Sequence, residues 1–253
     1  METWTQLIWP VYIVAALAGY LLGSLSFARI VTRLVTKSSH VEKLVQKVPG
    51  TDQTLEADSV SATTVAVNLG KKYGCLTSVL DMLKIILPAA ALKYYFPDQP
   101  YYLITLLTGM LGHDYPIYHR FKGGGGESLI LAALLVINWF GIFIVSAAAM
   151  VVGYIVGRVL IMRYGMYVLM IFWYWIYFND IYYVSFMILA NLILWTSMIN
   201  TWIKSGAQLK QHNIKLKEED VSELFLMGKG IGRFLDNYGL PALIRKAFAK
   251  NQE

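Results

Sequence analysis

The run GHDYPIYHRFKGGGGE, from Gly112 to Glu127, is the most unusual local sequence in the chain, because several residue types suited to one chemistry meet in it. Four successive glycines, Gly123, Gly124, Gly125 and Gly126, permit backbone conformations that turn consecutive N–H groups toward one point. Such a nest binds phosphate and other anions, especially beside a helix N-terminus. An apolar helix is expected to start directly after Glu127. Arg120 and Lys122 add positive charge, and His113 and His119 can give or take a proton near neutral pH. A flexible turn with solvated bases is the plainer reading of the same residues. His113 on its own reads as a packed, hydrogen-bonded side chain rather than a base.

A second polar cluster holds Asp58, Ser59, Ser61, Thr63, Thr64, Asn68, Lys71 and Lys72, which supply hydroxyls, an amide and bases, or simply cap a helix. Asp81 and Lys84, three residues apart, share a helical face and can neutralise each other inside a bundle. Gly228-Lys229-Gly230-Ile231-Gly232 has the look of a nucleotide loop, but no strand precedes it and the fingerprint is very weak.

The elements that must position these groups are membrane helices. The chain has 253 residues, 57% hydrophobic and 15% charged, with mean hydropathy +0.50. That apolar surplus exceeds what a soluble core absorbs and must face lipid. The net charge of +6 is confined to loops and the tail, which disfavours nucleic acid as a partner. The only cysteine, Cys75, allows neither an intrachain disulfide nor a Cys-rich metal site. The opening METWTQLIWP lacks a basic leader and a cleavage site, so the first apolar stretch is expected to remain as an anchor.

A hydrocarbon core about 30 Å thick needs about 20 apolar residues per helix. The pattern predicts an all-α integral membrane protein of about seven transmembrane helices. The first three run from about Leu7 to Ile30, Tyr73 to Phe96 and Tyr101 to Tyr118. The apolar run from Glu127 to Ile203 divides at Asn138, at the Arg158 to Arg163 segment and at Asn179-Asp180. Its first piece, Ser128 to Ile137, is short and should be shielded by protein. Gly19, Gly23, Ser24 and Ser26 are small enough to let helices approach closely. Basic residues, including Arg29, Arg33, Lys43, Lys71, Arg120, Arg158 and Lys204, gather on one side, which predicts the N-terminus outside and the C-terminus cytoplasmic. Trp9, Tyr94, Tyr95, Tyr101, Tyr102, Trp139, Tyr177 and Tyr182 then form an outer aromatic belt. The expected division is a transmembrane domain over 1–203 and a cytoplasmic tail over 204–253. In the tail, Phe234, Leu235, Leu243, Ile244 and Phe248 oppose Arg233, Arg245 and Lys246. That pattern reads equally as a basic amphipathic helix on an anionic leaflet or as a tail packed on its own loops or on a partner.

Together these pieces resemble the bacterial acyl-phosphate glycerol-3-phosphate acyltransferases, the PlsY family of small inner-membrane enzymes. GYLLGSLSFARIVTRL, Gly19 to Leu34, is similar to the family's first helix. SATTVAVNLGKKYGCLTSVLDMLK, Ser61 to Lys84, looks like its first cytoplasmic motif and second helix, and GHDYPIYHRFKGGGG matches its second motif best. The resemblance implies a seven-span plasma-membrane enzyme that transfers an acyl group from acyl phosphate to glycerol 3-phosphate, forming lysophosphatidic acid, with no metal and no other cofactor. It assigns Gly123, Gly124, Gly125 and Gly126 to phosphate binding by backbone donors, with Lys122 as cation and Ser59 or Thr63 as polar ligands. His212 would orient or deprotonate the acceptor hydroxyl, with His113 and Asn213 as further site residues.

The sequence departs from the family pattern at charged positions. In the motif Ser-x-Asn-x-Gly-Ala-Thr-Asn-x-x-Arg, only Ala62 and Thr63 persist, and the phosphate-binding Arg falls on Val67. The Lys of the Gly-Gly-Lys-Gly loop falls on Gly125, and His212 stands two positions from the histidine of the third motif, His-Arg-x-Asn-Ile. A charge-assisted hydrogen bond contributes about 1.5–3 kcal/mol, so two missing cations can remove most turnover. The competing expectation is a catalytically degenerate paralogue that binds membrane lipids or serves as a subunit of a larger membrane complex. A transporter is a third, less supported by the few unpaired ionisable residues in the spans.

Overall fold

The computed structural model describes residues 2–37, 44–57 and 59–250; Lys43 and Asp58 of the sequence reading lie outside the described residues. The helices are α1 (Glu2–Gly23), α2 (Phe27–Thr36), α3 (Ala62–Leu69), α4 (Lys71–Tyr95), α5 (Tyr101–Asp114), α6 (Glu127–Val156), α7 (Val159–Phe178), α8 (Ile181–Gln211), α9 (Glu218–Leu224), α10 (Lys229–Tyr238) and α11 (Leu240–Lys250). A 3-10 turn, Ile117–His119, follows α5, and two short strands, β1 (Leu44–Lys47) and β2 (Thr54–Ala57), pair between α2 and α3.

The chain forms two compact units. One holds Met1–Val45, Glu56–Trp139 and Asp180–Lys204, and the other Gln46–Leu55, Phe140–Asn179 and Ser205–Glu253. Among the described residues, 5 helical stretches can cross a membrane by length and composition: Trp9–Thr36, Lys71–Tyr95, Glu127–Val156, Val159–Phe178 and Ile181–Gln211. The other two expected spans are shorter elements. Helix α5 has 14 residues, about 21 Å of helix. The second is the limb of α6 before Asn138, whose φ of −155° and ψ of 81° break the helix where the sequence places a division. Leu129, Ile130, Ala132, Ala133 and Leu134 of that limb are all buried, as its shortness required. Breaks at Gly157-Arg158 and at Asn179, in the left-handed region with φ 49°, complete the division.

The all-α expectation misses the strand pair. Its turn is written in the sequence: Pro49 sets φ, Gly50 takes φ 71°, and the Thr51 amide donates to the Val48 carbonyl at 3.2 Å, the pattern of a type II turn. The aromatic belt is also only partly exposed. Trp9, Tyr94, Tyr95, Trp139, Tyr177 and Tyr182 are exposed, whereas Tyr101 and Tyr102 are buried. Tyr101 packs edge-on against Tyr12, and the Tyr102 hydroxyl pairs with that of Tyr183 at 2.9 Å.

Helix crossings in the first unit depend on small residues. A Cβ built on Gly19 would stand 2.4 Å from Thr108 Oγ1, and one on Gly23 2.1 Å from the Gly109 carbonyl oxygen. Gly112 faces α1 equally closely, with the Tyr20 carbonyl oxygen 2.2 Å from its would-be Cβ. Helices α1 and α5 therefore touch backbone to backbone, which gains dispersion contacts in a setting where lipid removes the hydrophobic driving force. Ser24 and Tyr20 then tie α1 to the segment after α5: Tyr20 donates to the Tyr115 carbonyl at 2.9 Å, and the Ile117 amide donates to Ser24 Oγ at 3.4 Å.

In the second unit, the tail packs on its own loops, one of the two expectations for it. Glu218 accepts from the Val159 amide at 2.8 Å and from Arg158 at 3.1 Å, so a tail carboxylate caps the N-terminus of α7. Asp236 in turn accepts from the amides of Glu218 and Glu219 at the start of α9, at 3.3 and 2.9 Å. Arg233 clasps Glu219 and holds that carboxyl below the usual range. Leu235 is buried, while Phe234, Leu243, Ile244 and Phe248 remain exposed.

The α1–α5 contact generates a prediction. Gly23→Ala should destabilise the protein by about 1–3 kcal/mol through overpacking against the Gly109 backbone. Gly206→Ala, in α8 where a Cβ meets nothing within 4 Å, should be neutral or slightly stabilising. Thermal unfolding in mild detergent compares the two.

Candidate active site

The site is built on a buried ionic cluster in the first unit. Asp81 and Lys84 lie one turn apart on α4, and Lys84 Nζ donates to Asp81 Oδ1 at 2.7 Å, with the two side chains only 1% and 3% exposed. This is the pairing the spacing predicted. The ammonium has two further acceptors, the Leu25 carbonyl at 2.6 Å and His113 Nδ1 at 3.0 Å. Leu25 belongs to the short non-helical link between α1 and α2, where a carbonyl is free to leave the helical ladder. Three N–H donors thus meet three acceptors, which is what a buried lysine requires. An ammonium cannot accept, so the Nδ1 lone pair of His113 receives its proton and the ring N–H is placed on Nε2. The 3.6 Å separation of His113 Nδ1 from Asp81 Oδ1 is too long for a second hydrogen bond.

His113 forms the floor of the glycine loop. Its carbonyl accepts from the Gly124 amide at 3.3 Å, and its Nε2 would lie 2.4 Å from a Cβ on Gly124. The route from α5 to the loop is tight, with Arg120 and Phe121 at φ 52° and 58° and the Phe121 amide donating to Pro116 at 3.0 Å. Gly126 adopts φ 68°, and its carbonyl accepts from the amides of Leu129 and Ile130, both at 3.0 Å, to open α6. Among the described residues, the amides of Gly125 and Gly126 have no hydrogen-bond partner. These are the donors that an anion nest beside a helix N-terminus must offer.

The polar cluster before α3 meets this loop, because the Val60 amide donates to the Gly123 carbonyl at 3.1 Å. Within the cluster, Ser61 and Thr64 are occupied as a capping box on α3, and Thr64 Oγ1 also donates to the Ser59 carbonyl at 2.6 Å. Ser59 and Thr63 are half-buried, and their hydroxyls have no partner among the described residues. The structure therefore brings the backbone next to Ser59 onto the glycine loop at Gly123, with His113 against Gly123 and Gly124. Lys122 is exposed at the loop's start. His212 and Asn213 are exposed at the end of α8 in the second unit, with Asn213 at φ 54°. Val67 is 37% exposed on α3, and a Cβ on Gly125 meets nothing within 4 Å.

Two groups escape the sequence reading. Asp114 is buried, and its carboxylate oxygens would lie 2.7 and 2.9 Å from a Cβ on Gly126. Neither oxygen makes a hydrogen bond among the described residues, although Ser197 lies in its neighbourhood. Arg29 on α2 donates from Nη2 to the Lys122 carbonyl at 2.8 Å and from Nη1 to Ser26 Oγ at 3.2 Å. Partial burial and the facing Arg29 hold the His119 imidazole below its usual range. An aspartate ending an apolar helix is a signal the sequence carried. Arg29 stood in it only as one more inner-face base.

Comparisons with known proteins bear on the chain as a whole. A family model described as glycerol-3-phosphate acyltransferase matches residues 13–204. The glycerol-3-phosphate acyltransferase of Pelagibacter ubique is 29% identical over 216 residues, covering 85% of this chain and 99% of that protein. That of Aquifex aeolicus is 34% identical over 138 residues, 50% of this chain and 65% of its own length. Among solved structures, PlsY (YgiH), an integral membrane glycerol 3-phosphate acyltransferase in its lysophosphatidic acid form, superposes with TM-score 0.61 at 21% identity, covering 85% of this chain and 98% of that one. Its glycerol 3-phosphate form gives TM-score 0.60. At that identity, the superposition establishes the fold.

The buried cluster predicts a non-additive mutant pair. Lys84→Met, which strands a buried carboxylate, should cost about 3–5 kcal/mol. Adding Asp81→Asn should recover part of that loss, so the double variant is more stable than the sum of the singles. Unfolding free energies of the four proteins in one detergent measure the coupling.

Proposed function

The chain belongs to the glycerol-3-phosphate acyltransferase family, and from that membership we propose that it is a multi-pass bacterial plasma-membrane enzyme acylating glycerol 3-phosphate from an acyl phosphate. The observation that supports this most directly is the glycine loop. It presents unpartnered amides at Gly125 and Gly126 beside the start of α6, with Ser59 and Thr63 brought alongside by the Val60–Gly123 hydrogen bond. Phosphate is common to both substrates, and this is chemistry suited to it.

In the reaction, an acceptor hydroxyl oxygen of glycerol 3-phosphate attacks the carbonyl carbon of the acyl phosphate. The new ester C–O bond forms as the bond from that carbon to the phosphate oxygen breaks, releasing inorganic phosphate and the hydroxyl proton. The mixed anhydride is already activated, so the protein's task is to hold two anions together and stabilise the charge moving onto phosphate. Backbone donors of Gly123 to Gly126, the hydroxyls of Ser59 and Thr63, and the cation of Lys122 take that part in the proposal. His113 acts from beneath the loop as a positioning residue, held by Lys84. The basic residues on α2, on the Arg120–Lys122 turn and at Arg158 support seven passes with the N-terminus outside and the site on the inner face.

A second reading rests on Val67 and Gly125, the positions where the family carries its phosphate cations. Without those charges the protein would be a lipid-binding or structural subunit on an acyltransferase scaffold. Purified protein given acyl phosphate and glycerol 3-phosphate should form lysophosphatidic acid, detected by mass spectrometry, and Lys122→Ala should lower the yield. Gly125 has room for a side chain, so Gly125→Lys should raise kcat/KM about tenfold or more, the equivalent of one charge-assisted bond. No product above the Lys122→Ala control would leave the subunit reading in place.

A further inference from the structure

Arg29 is a half-buried cation placed where the loop begins. Its Nη2 bond to the Lys122 carbonyl, at 2.8 Å, sets the guanidinium one residue from Gly123. A guanidinium carries five N–H donors, and two of them are engaged here, one by Lys122 and one by Ser26. No carboxylate pairs with it among the described residues. Taking a charge partly out of water is unfavourable unless an anion or a full set of acceptors compensates it. A simple staple between α2 and the loop needs only a neutral donor, such as Gln. A planar fork with spare N–H groups is the geometry that binds phosphate in a bidentate manner.

We propose that Arg29 is the cation of the phosphate subsite for the acceptor, glycerol 3-phosphate, supplying from α2 the charge that Val67 and Gly125 do not provide. This rests on the acyltransferase reading for the identity of the acceptor, but not on turnover. The bond to Lys122 fixes one edge of the guanidinium on the loop and leaves the remaining N–H groups for the ligand, beside the free amides of the nest. Arg33, one turn further along α2 and exposed, lacks this anchorage and is the internal control.

The test is a binding measurement on the purified full-length protein in detergent, read as thermal stabilisation by glycerol 3-phosphate against glycerol, with steady-state kinetics where turnover is present. The wild type should be stabilised by glycerol 3-phosphate and not by glycerol. Arg29→Gln should abolish that difference and raise the KM for glycerol 3-phosphate about 10- to 100-fold, with a smaller change in kcat. Arg29→Lys should retain part of it, and Arg33→Gln all of it. If Arg29 serves only as a staple, Arg29→Gln keeps the glycerol 3-phosphate increment, and the proposal is overturned. Absence of any such increment in the wild type overturns it as well. Stabilisation that depends on Arg29 without acyl transfer would uphold the subsite while removing the enzymatic reading.

Discussion

The buried ammonium of Lys84 is the constraint from which the rest of the first unit follows. Three chain segments must converge on one nitrogen: the link after α1 through Leu25, α4 through Asp81, and α5 through His113. In hydrocarbon, removing any one acceptor leaves an uncompensated charge or donor, so the three are fixed relative to one another. The glycines make that convergence possible, since α1 and α5 approach until a Cβ on Gly23 would collide with the Gly109 backbone. A polar demand at the centre and small residues around it are one device, and the loop after α5 inherits its position from both.

That inheritance decides what was legible in the sequence. The Asp81–Lys84 pair was readable because both lie on one helix and the spacing alone puts them together. So were the helix breaks at Asn138 and Asn179, where a polar residue interrupts an apolar run, and the close packing at Gly19 and Gly23. His113 was readable as a packed side chain but its partner was not, because 29 residues separate it from Lys84. Arg29 stands 93 residues from the carbonyl it holds, and no local pattern reports such a contact. Tyr101 and Tyr102 show the converse failure. Aromatics at a span end read as interfacial, but here Tyr12, Lys93 and Tyr183 gave them partners inside the unit.

The four glycines read as one motif in the sequence and separate into two kinds in space. Gly123 lies against the His113 carbonyl, Gly124 against the His113 ring, and Gly126 against the Asp114 carboxylate, each closer than a side chain permits. Those three are glycine because the floor of the loop is backbone and buried polar groups. Gly125 faces open space, so close packing does not require its glycine. Sterics thus enforce the shape of the loop at three glycines, and Gly125 is the one of the four where geometry leaves the choice open.

This separation bears on how a site of this kind keeps or loses activity. Shape is enforced by sterics at Gly123, Gly124 and Gly126, and any substitution there disturbs the fold before it disturbs chemistry. Charge is enforced by nothing in the scaffold, so it can move from the loop to a neighbouring helix while the backbone donors stay in place. Arg29 sits on such a helix, hydrogen-bonded to the loop through Lys122. In the proposed subsite Arg29 supplies such a charge, from a residue that the sequence alone leaves among the inner-face bases.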